Sequence, residues 1–404
     1  MKTYRIASPL LFSVVLLALV GIIDAPVALA REDASVTKTS TPIVVRTREE
    51  MQAFIDSPAF ENSSLAILSP GARKRFVDGL IQRAHGIGGF DTSDLTSELT
   101  SNQIDEVMRL VDAPEYVGAW EGNDQPHARY ALETDFDRRY STMYSGMRNV
   151  SPSEERTVIR DQLPLLFPDG VSKESLSTLN NHDLNLAFRA LQSASRGASP
   201  NAIGQMRIAL DLLNERDAAT NKQVAMLHDA LVADRQFDDA ESLENDFASV
   251  ELTPVPRHRL LDQPSTGGPT LLSVFDGGNG LRREARLLDQ GLHIVVVASC
   301  HFSQDAARAI EADDRMAALF HKHGIWLASA DESFGNVANW NSEFPSQPIH
   351  IAWSDDEWSM LDSWAMPTFY VFRDGENIAQ WAGWPADTGM QTLREQLDAA
   401  GVEY

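Results

Sequence analysis

The sequence predicts an all-α N-terminal region joined to an α/β C-terminal domain, the latter a central mixed sheet flanked by helices. Two observations carry this. From about residue 47 to 260, apolar side chains recur at spacings of three and four, as at Ile104, Val107, Met108 and Val111, and strand signals are scarce. Past a Pro-, Ser-, Thr- and Gly-rich linker at 261–270 the composition shifts. β-type runs then alternate with helical patterns, and all but one of the eight tryptophans lie there.

Taken in order, residues 1–30 read as a secretory signal. Lys2 and Arg5 supply a positive start, 10–23 an apolar core, and Ala28-Leu29-Ala30 a small-x-small cleavage site. An uncleaved anchor is the alternative, since a spanning helix needs about 20 apolar residues. Arg31, not a cysteine, stands directly after Ala30, which excludes a lipoprotein anchor, and no later segment is apolar enough to span a bilayer. A periplasmic or secreted protein is expected. Residues 31–46, polar and mixed, read as a flexible leader. The net charge of −24 repels phosphate backbones, so no nucleic-acid partner is expected.

Within 47–260 there is an internal similarity about 80 residues apart. Ser69-Pro70 opens SPGARKRFVDGLI and Ser151-Pro152 opens SPSEERTVIRDQL; further on, LTSNQIDEVMRLV from Leu99 aligns with LNNHDLNLAFRAL from Leu179. The pairs Ile104/Leu184, Met108/Phe188, Arg109/Arg189 and Val111/Leu191 keep one register. Ser-Pro would start one helix of each copy and a Ser/Thr/Asn-rich cap the next. Two related helical units, or two amphipathic helices alike by chance, both fit. ALVADRQFDDAESL from Ala230 resembles a tetratricopeptide unit at Ala230, Phe237 and Ala240, but a lone copy reads better as an ordinary helix–turn–helix.

In the domain at 271–404, residues 271–275 read as a short strand and 281–288 as a helix. Residues 293–299, a Val/Ile run without alternation, suit a buried central strand. An amphipathic helix over 303–322, strands over 325–330 and 350–353, and a helical turn over 357–364 follow. Residues 368–373 and 377–384 form a hairpin across Asp374-Gly375, and a last helix covers 388–400.

The chain's one cysteine, Cys300, lies in VVVASCHFSQDAARAI, between the buried strand and the helical pattern. With one cysteine no internal disulfide forms, so the thiol is either reactive or idle. His301 is placed to stabilise a thiolate or shuttle a proton, or to sit passively at the helix start. His321 and His323 diverge on one helix, and no zinc set, phosphate loop or nucleophile-elbow serine is present, so no metal or cofactor is expected.

Cys300 after a buried strand, Met366-Pro367-Thr368 before a later strand, and TFYVFRDGENIAQWAGW as a closing hairpin together resemble the thioredoxin superfamily over about a third of the chain. The resemblance implies that Cys300 begins a helix, where free backbone N–H groups favour a thiolate, with the Ser303 hydroxyl one turn on. It implies a cis Pro367 facing the thiol, with Met366 and Thr368 beside an extended substrate. Three positions depart from the pattern: Ser303 replaces the second cysteine, Ser299 the usual tryptophan, and Ile294 the buried carboxylate. A dithiol cycle is therefore excluded. Two functions remain open. One is monothiol thiol–disulfide exchange that captures exported proteins and is released by a thiol reductant. The other is a non-catalytic interaction module on a degenerate thioredoxin fold.

Overall fold

A computed structural model describes residues 43–404 apart from 84–85, 90, 124–132, 149, 151 and 265–266. The signal segment 1–30, the leader through residue 42, and Ser151 of the second repeat copy lie outside the described residues.

Helices α1 (Arg48–Ile55), α2 (Pro70–Asp78), α3 (Ser93–Glu98) and α4 (Ser101–Leu110) begin largely where the sequence supplies caps. Thr47 and Thr100 form capping boxes with Glu50 and Gln103, and Ser69 caps α2 with Pro70 in its first turn. Met51, Phe54, Phe76, Leu95, Ile104 and Met108 bury one another in a cluster of their own. Between α2 and α3, β1 (Ile81–Arg83) and β2 (Gly86–Gly89) form an antiparallel hairpin, a correction to the all-helical reading of this half. Its glycines have little helix propensity and no apolar period.

Next come α5 (Asp135–Arg148), α6 (Pro152–Leu166), α7 (Lys173–Ser177), α8 (Asn181–Ser195), α9 (Ala202–Glu215), α10 (Asn221–Ala233) and α11 (Phe237–Asp246). Each stretch of internal similarity spans a proline-started helix, a short helix and a capped amphipathic helix: α2, α3 and α4, then α6, α7 and α8. Ile104/Leu184, Met108/Phe188 and Val111/Leu191 are all buried. The aligned arginines differ, with Arg109 exposed and Arg189 buried. α10 and α11 make a helical hairpin that buries Phe237 and Ala240.

The mixed sheet has eight strands: β3 (His258–Leu260), β4 (Thr270–Phe275), β5 (Gly280–Ala285), β6 (Leu292–Val297), β7 (Gly324–Ala328), β8 (Ile349–Ala352), β9 (Thr368–Arg373) and β10 (Glu376–Ala382). Their spatial order is β10-β9-β6-β7-β8-β4-β5-β3. β6, β7 and β8 run parallel, β9 is antiparallel to β6, and β10 to β9. Side chains on β6 alternate between two layers, as a pleat requires. Ile294 and Val296 face the helices α12 (His301–Glu311), α13 (Asp314–His323), α14 (Phe334–Glu343) and α15 (Gly389–Ala399). Val295 and Val297 face Trp358, Leu361 and Tyr370.

Three sequence expectations are corrected here. Residues 281–288, read as a helix, supply β5 and its continuation. Gly280 abuts the Phe275 ring, where a Cβ would overlap it, and the Asp276–Gly278 turn closes a β4–β5 hairpin. Arg283 then lies 3.9 Å from the centre of the Trp353 ring and 2.9 Å from Glu357, contacts a local helix would not make. As a result β4 lies beyond β7 and β8 from β6. The single helix expected over 303–322 is two, because Asp313 is extended and its carboxylate caps α13 at the amides of Arg315 and Met316. Finally α14, unanticipated, is capped by Ser333 and buries Phe334, Val337 and Trp340, a spacing of three masked by its glycine and asparagines.

Helices α5–α11 and the sheet region share one apolar cluster within a compact unit spanning Val45–Tyr404. Phe237 of α11 meets Phe334 of α14 at 6.3 Å between ring centres. Arg235 donates to the carbonyls of Ala352 and Trp353, and burial pushes its guanidinium down to about 10. Among the described residues, no helix is long and apolar enough to cross a membrane.

Candidate functional site

The pairing of β6 with β9 builds the site. Its register sets Val297 opposite Thr368, so the residues just after one strand meet those just before the other. Cys300 is the extended N-cap of α12, at φ −78 and ψ 169, and its carbonyl accepts from the amides of Ser303 and Gln304. The sulfur is half-buried at the end of a helix whose first amides have no intrahelical acceptor.

Two groups contact that sulfur. The Ser303 hydroxyl, fully buried, is 3.3 Å away, and the Met366 carbonyl oxygen is 3.6 Å away, the thiol donating to it. The Met366-Pro367 peptide is cis, and Pro367 is buried. Thr368 is buried too, its hydroxyl closing the loop by donating to Ala365 O at 2.6 Å. Ser299 donates to the Met366 sulfur at 3.1 Å. Cys300, Ser303, Met366, Pro367 and Thr368 are thus brought together. His301 is exposed, and its ring lies against Phe302 at 3.8 Å between centres.

Phe302, in the first turn of α12, was not singled out by the sequence pattern. Phe302 and Met366 leave 51 % and 41 % of their surface exposed, an apolar lip on the two segments that meet at the site. The signal for Phe302 was present, an aromatic one residue off the buried face of an amphipathic helix. Two tryptophans of this domain are packing residues. Trp384 is buried against Phe369, and Trp353 lies beneath Arg283 and Arg235. Gly383, at φ 88, donates its amide to Pro367 O at 2.7 Å and ties the hairpin to the site loop. Gly383→Ala places a side chain in the left-handed region and is expected to cost about 1–2 kcal/mol. A chemical-denaturation midpoint equal to the parent's would refute this.

A second polar cluster, far from Cys300 in sequence, is buried among α2, α3, α5 and α8. Arg75 grips Asp94 through Nε at 2.9 Å and Nη2 at 3.1 Å, and also pairs with Asp137. Arg189 reaches Asp94 at 2.6 Å. Burial alone would raise the Asp94 carboxyl, but Arg189 and Arg75 hold it down at about 2. His182 stands between Asp137 at 3.3 Å and Glu98 at 3.7 Å. Among the described residues no three His, Cys, Asp or Glu side chains are arranged to hold a metal ion.

Comparison with protein-family models, with curated proteins and with solved structures finds no match.

Proposed function

We propose that the chain is an exported monothiol exchange protein whose C-terminal sheet is a thioredoxin-like variant. The observation that carries this reading is the single thiol at the start of α12, hydrogen-bonded by Ser303 and faced by the Met366-Pro367 loop. Supporting the fold reading are the parallel β6–β7 pair with helix between and the antiparallel β9–β10 hairpin. The position beside β7 is taken by β8, which follows it in the chain rather than preceding β6. The apolar N-terminal segment supports export.

In the proposed reaction the Cys300 thiolate attacks one sulfur of a partner disulfide. A Cys300–partner S–S bond forms, the partner's S–S bond breaks, and the departing thiolate takes a proton from water. An external thiol then attacks the mixed disulfide, restores Cys300 and leaves the partner bonded to that thiol, itself open to a further exchange. Ser303 donates to the attacking thiolate. The test is to mix the full chain with an aromatic disulfide and follow the mixed disulfide by intact mass. Ser303→Ala removes one hydrogen bond, about 1 kcal/mol, and is expected to slow this reaction roughly fivefold. An unchanged rate would remove Ser303 from the mechanism.

The thiol's donation to Met366 O favours the second reading, because it holds a protonated sulfur against a carbonyl. On that reading the apolar lip binds partners without covalent chemistry. Partner recovery that survives both thiol reductant and loss of the sulfur would select it.

A further inference from the structure

Residues 45–123 and the helices they rest on have separate apolar cores. What joins them is a seam of polar contacts. From the first side come Arg75 of α2, Asp94, Thr96 and Glu98 of α3, Asp91, and the carbonyl of Gly79. From the second come Asp137, Ser141, Tyr144 and Arg148 of α5, His182 and Arg189 of α8, and Lys222 of α10. Arg75 donates to Ser141 at 2.7 Å, Lys222 to Thr96 at 2.7 Å, Arg148 to Gly79 O at 2.8 Å, and Tyr144 to Asp91. Gly71 brings α2 so close to α5 that a Cβ there would overlap the Asp137 carboxylate. An apolar interface gains from burial at every pH; a buried ionic one depends on which groups hold their protons.

We propose that residues 45–123 form a separately cored lobe docked through this ionic seam, with His182 as a titratable bolt that tightens docking in mild acid and releases it as the ring becomes neutral. The groups facing His182 are Glu98 from α3, Asp137 from α5 and Asp183 on its own helix, with Arg75, Asp94 and Arg189 in the next layer. Burial opposes the charged ring, but the Asp137 hydrogen bond and the Glu98 charge outweigh it and raise the ring above its ordinary 6.5. A raised basic group contributes docking strength that is complete below its unfolded value and lost as pH rises through the folded one. Burial also raises Glu98, a cost that sets in as pH climbs past its ordinary value of 4.5, ahead of the histidine step. Asp137 and Asp94 are lowered, so their contribution is lost only as pH falls below the ordinary carboxylate range, about 4. The seam is therefore tightest at about pH 4, and the histidine step loosens it further above about 6.5.

Amide hydrogen exchange on the full chain, corrected for intrinsic pH dependence, reads this directly. Between pH 6 and pH 9, protection of α2 and α3 is expected to fall several-fold while that of the β6–β9 core does not. His228, paired with Glu244 between α10 and α11, lies outside the seam, so residues 221–246 are read separately. His182→Gln should abolish the pH dependence within 45–123. Gly71→Ala should lower protection there at every pH and spare the sheet. A flat wild-type profile, a dependence that persists in His182→Gln, or a Gly71→Ala loss spread equally over both regions would each overturn the proposal.

Discussion

A Cys300→Ala chain is expected to form no mixed disulfide with either an aromatic disulfide or partner proteins from an exported fraction. The effect should be all or none, because the sequence holds no other cysteine. The parent chain should yield adducts that disappear on adding thiol reductant. In the alanine variant the apolar lip of Phe302 and Met366 is intact, and Ser303 and the Met366 carbonyl lose only their sulfur partner. The change therefore removes chemistry without removing the surface. Adducts absent from both chains, with the same proteins recovered non-covalently, would sink the exchange reaction and leave the interaction module. Adduct formation by the parent alone would carry the exchange reading.

Arg75→Ala is expected to destabilise the protein by about 3–5 kcal/mol, since it leaves buried carboxylates short of their counter-charge. Arg75 and Asp94 are almost completely buried, and one guanidinium serves Asp94, Asp137 and Ser141. Its position over the Tyr140 ring, 5.0 Å from the centre, removes still more of it from water. Arg189 and His182 remain to share the stranded charges, which places the loss toward the lower end of that range. Urea titration with an unchanged slope measures it. A loss below about 1 kcal/mol would show that the seam is solvated and not buried. The reactivity of Cys300 in the variant, measured where it is still folded, should match the parent's.

Much of the site was legible because its parts flank strongly patterned runs. A Val/Ile run ending at Cys300 and a strand beginning at Thr368 mark both halves, and their pairing follows once both strands are central. Ser303 was visible as the hydroxyl one turn past the thiol. The ionic seam was not legible. Asp94, Asp137 and Ser141 lie 19, 62 and 66 positions from Arg75, and Asp94 lies 95 from Arg189. No local period links them, and Arg189 shares its register with the solvent-exposed Arg109.

By itself the sequence determined what is set within a few residues. It placed the Ser, Thr and Asn caps that start α2, α4 and α8, the buried core of β6, and the Asp374-Gly375 turn with both residues at positive φ. These are local choices, decided by which nearby atoms can satisfy a backbone amide and which backbone angles a side chain allows. Only the tertiary structure decided that 280–285 is a strand and that one arginine of an aligned pair is buried. In each case the deciding partner comes from remote chain. Arg283 finds Trp353 and Glu357, and Arg189 finds Asp94. A buried polar group or an unpaired strand edge takes the partner that the packed fold supplies, and sequence spacing says nothing of who that will be.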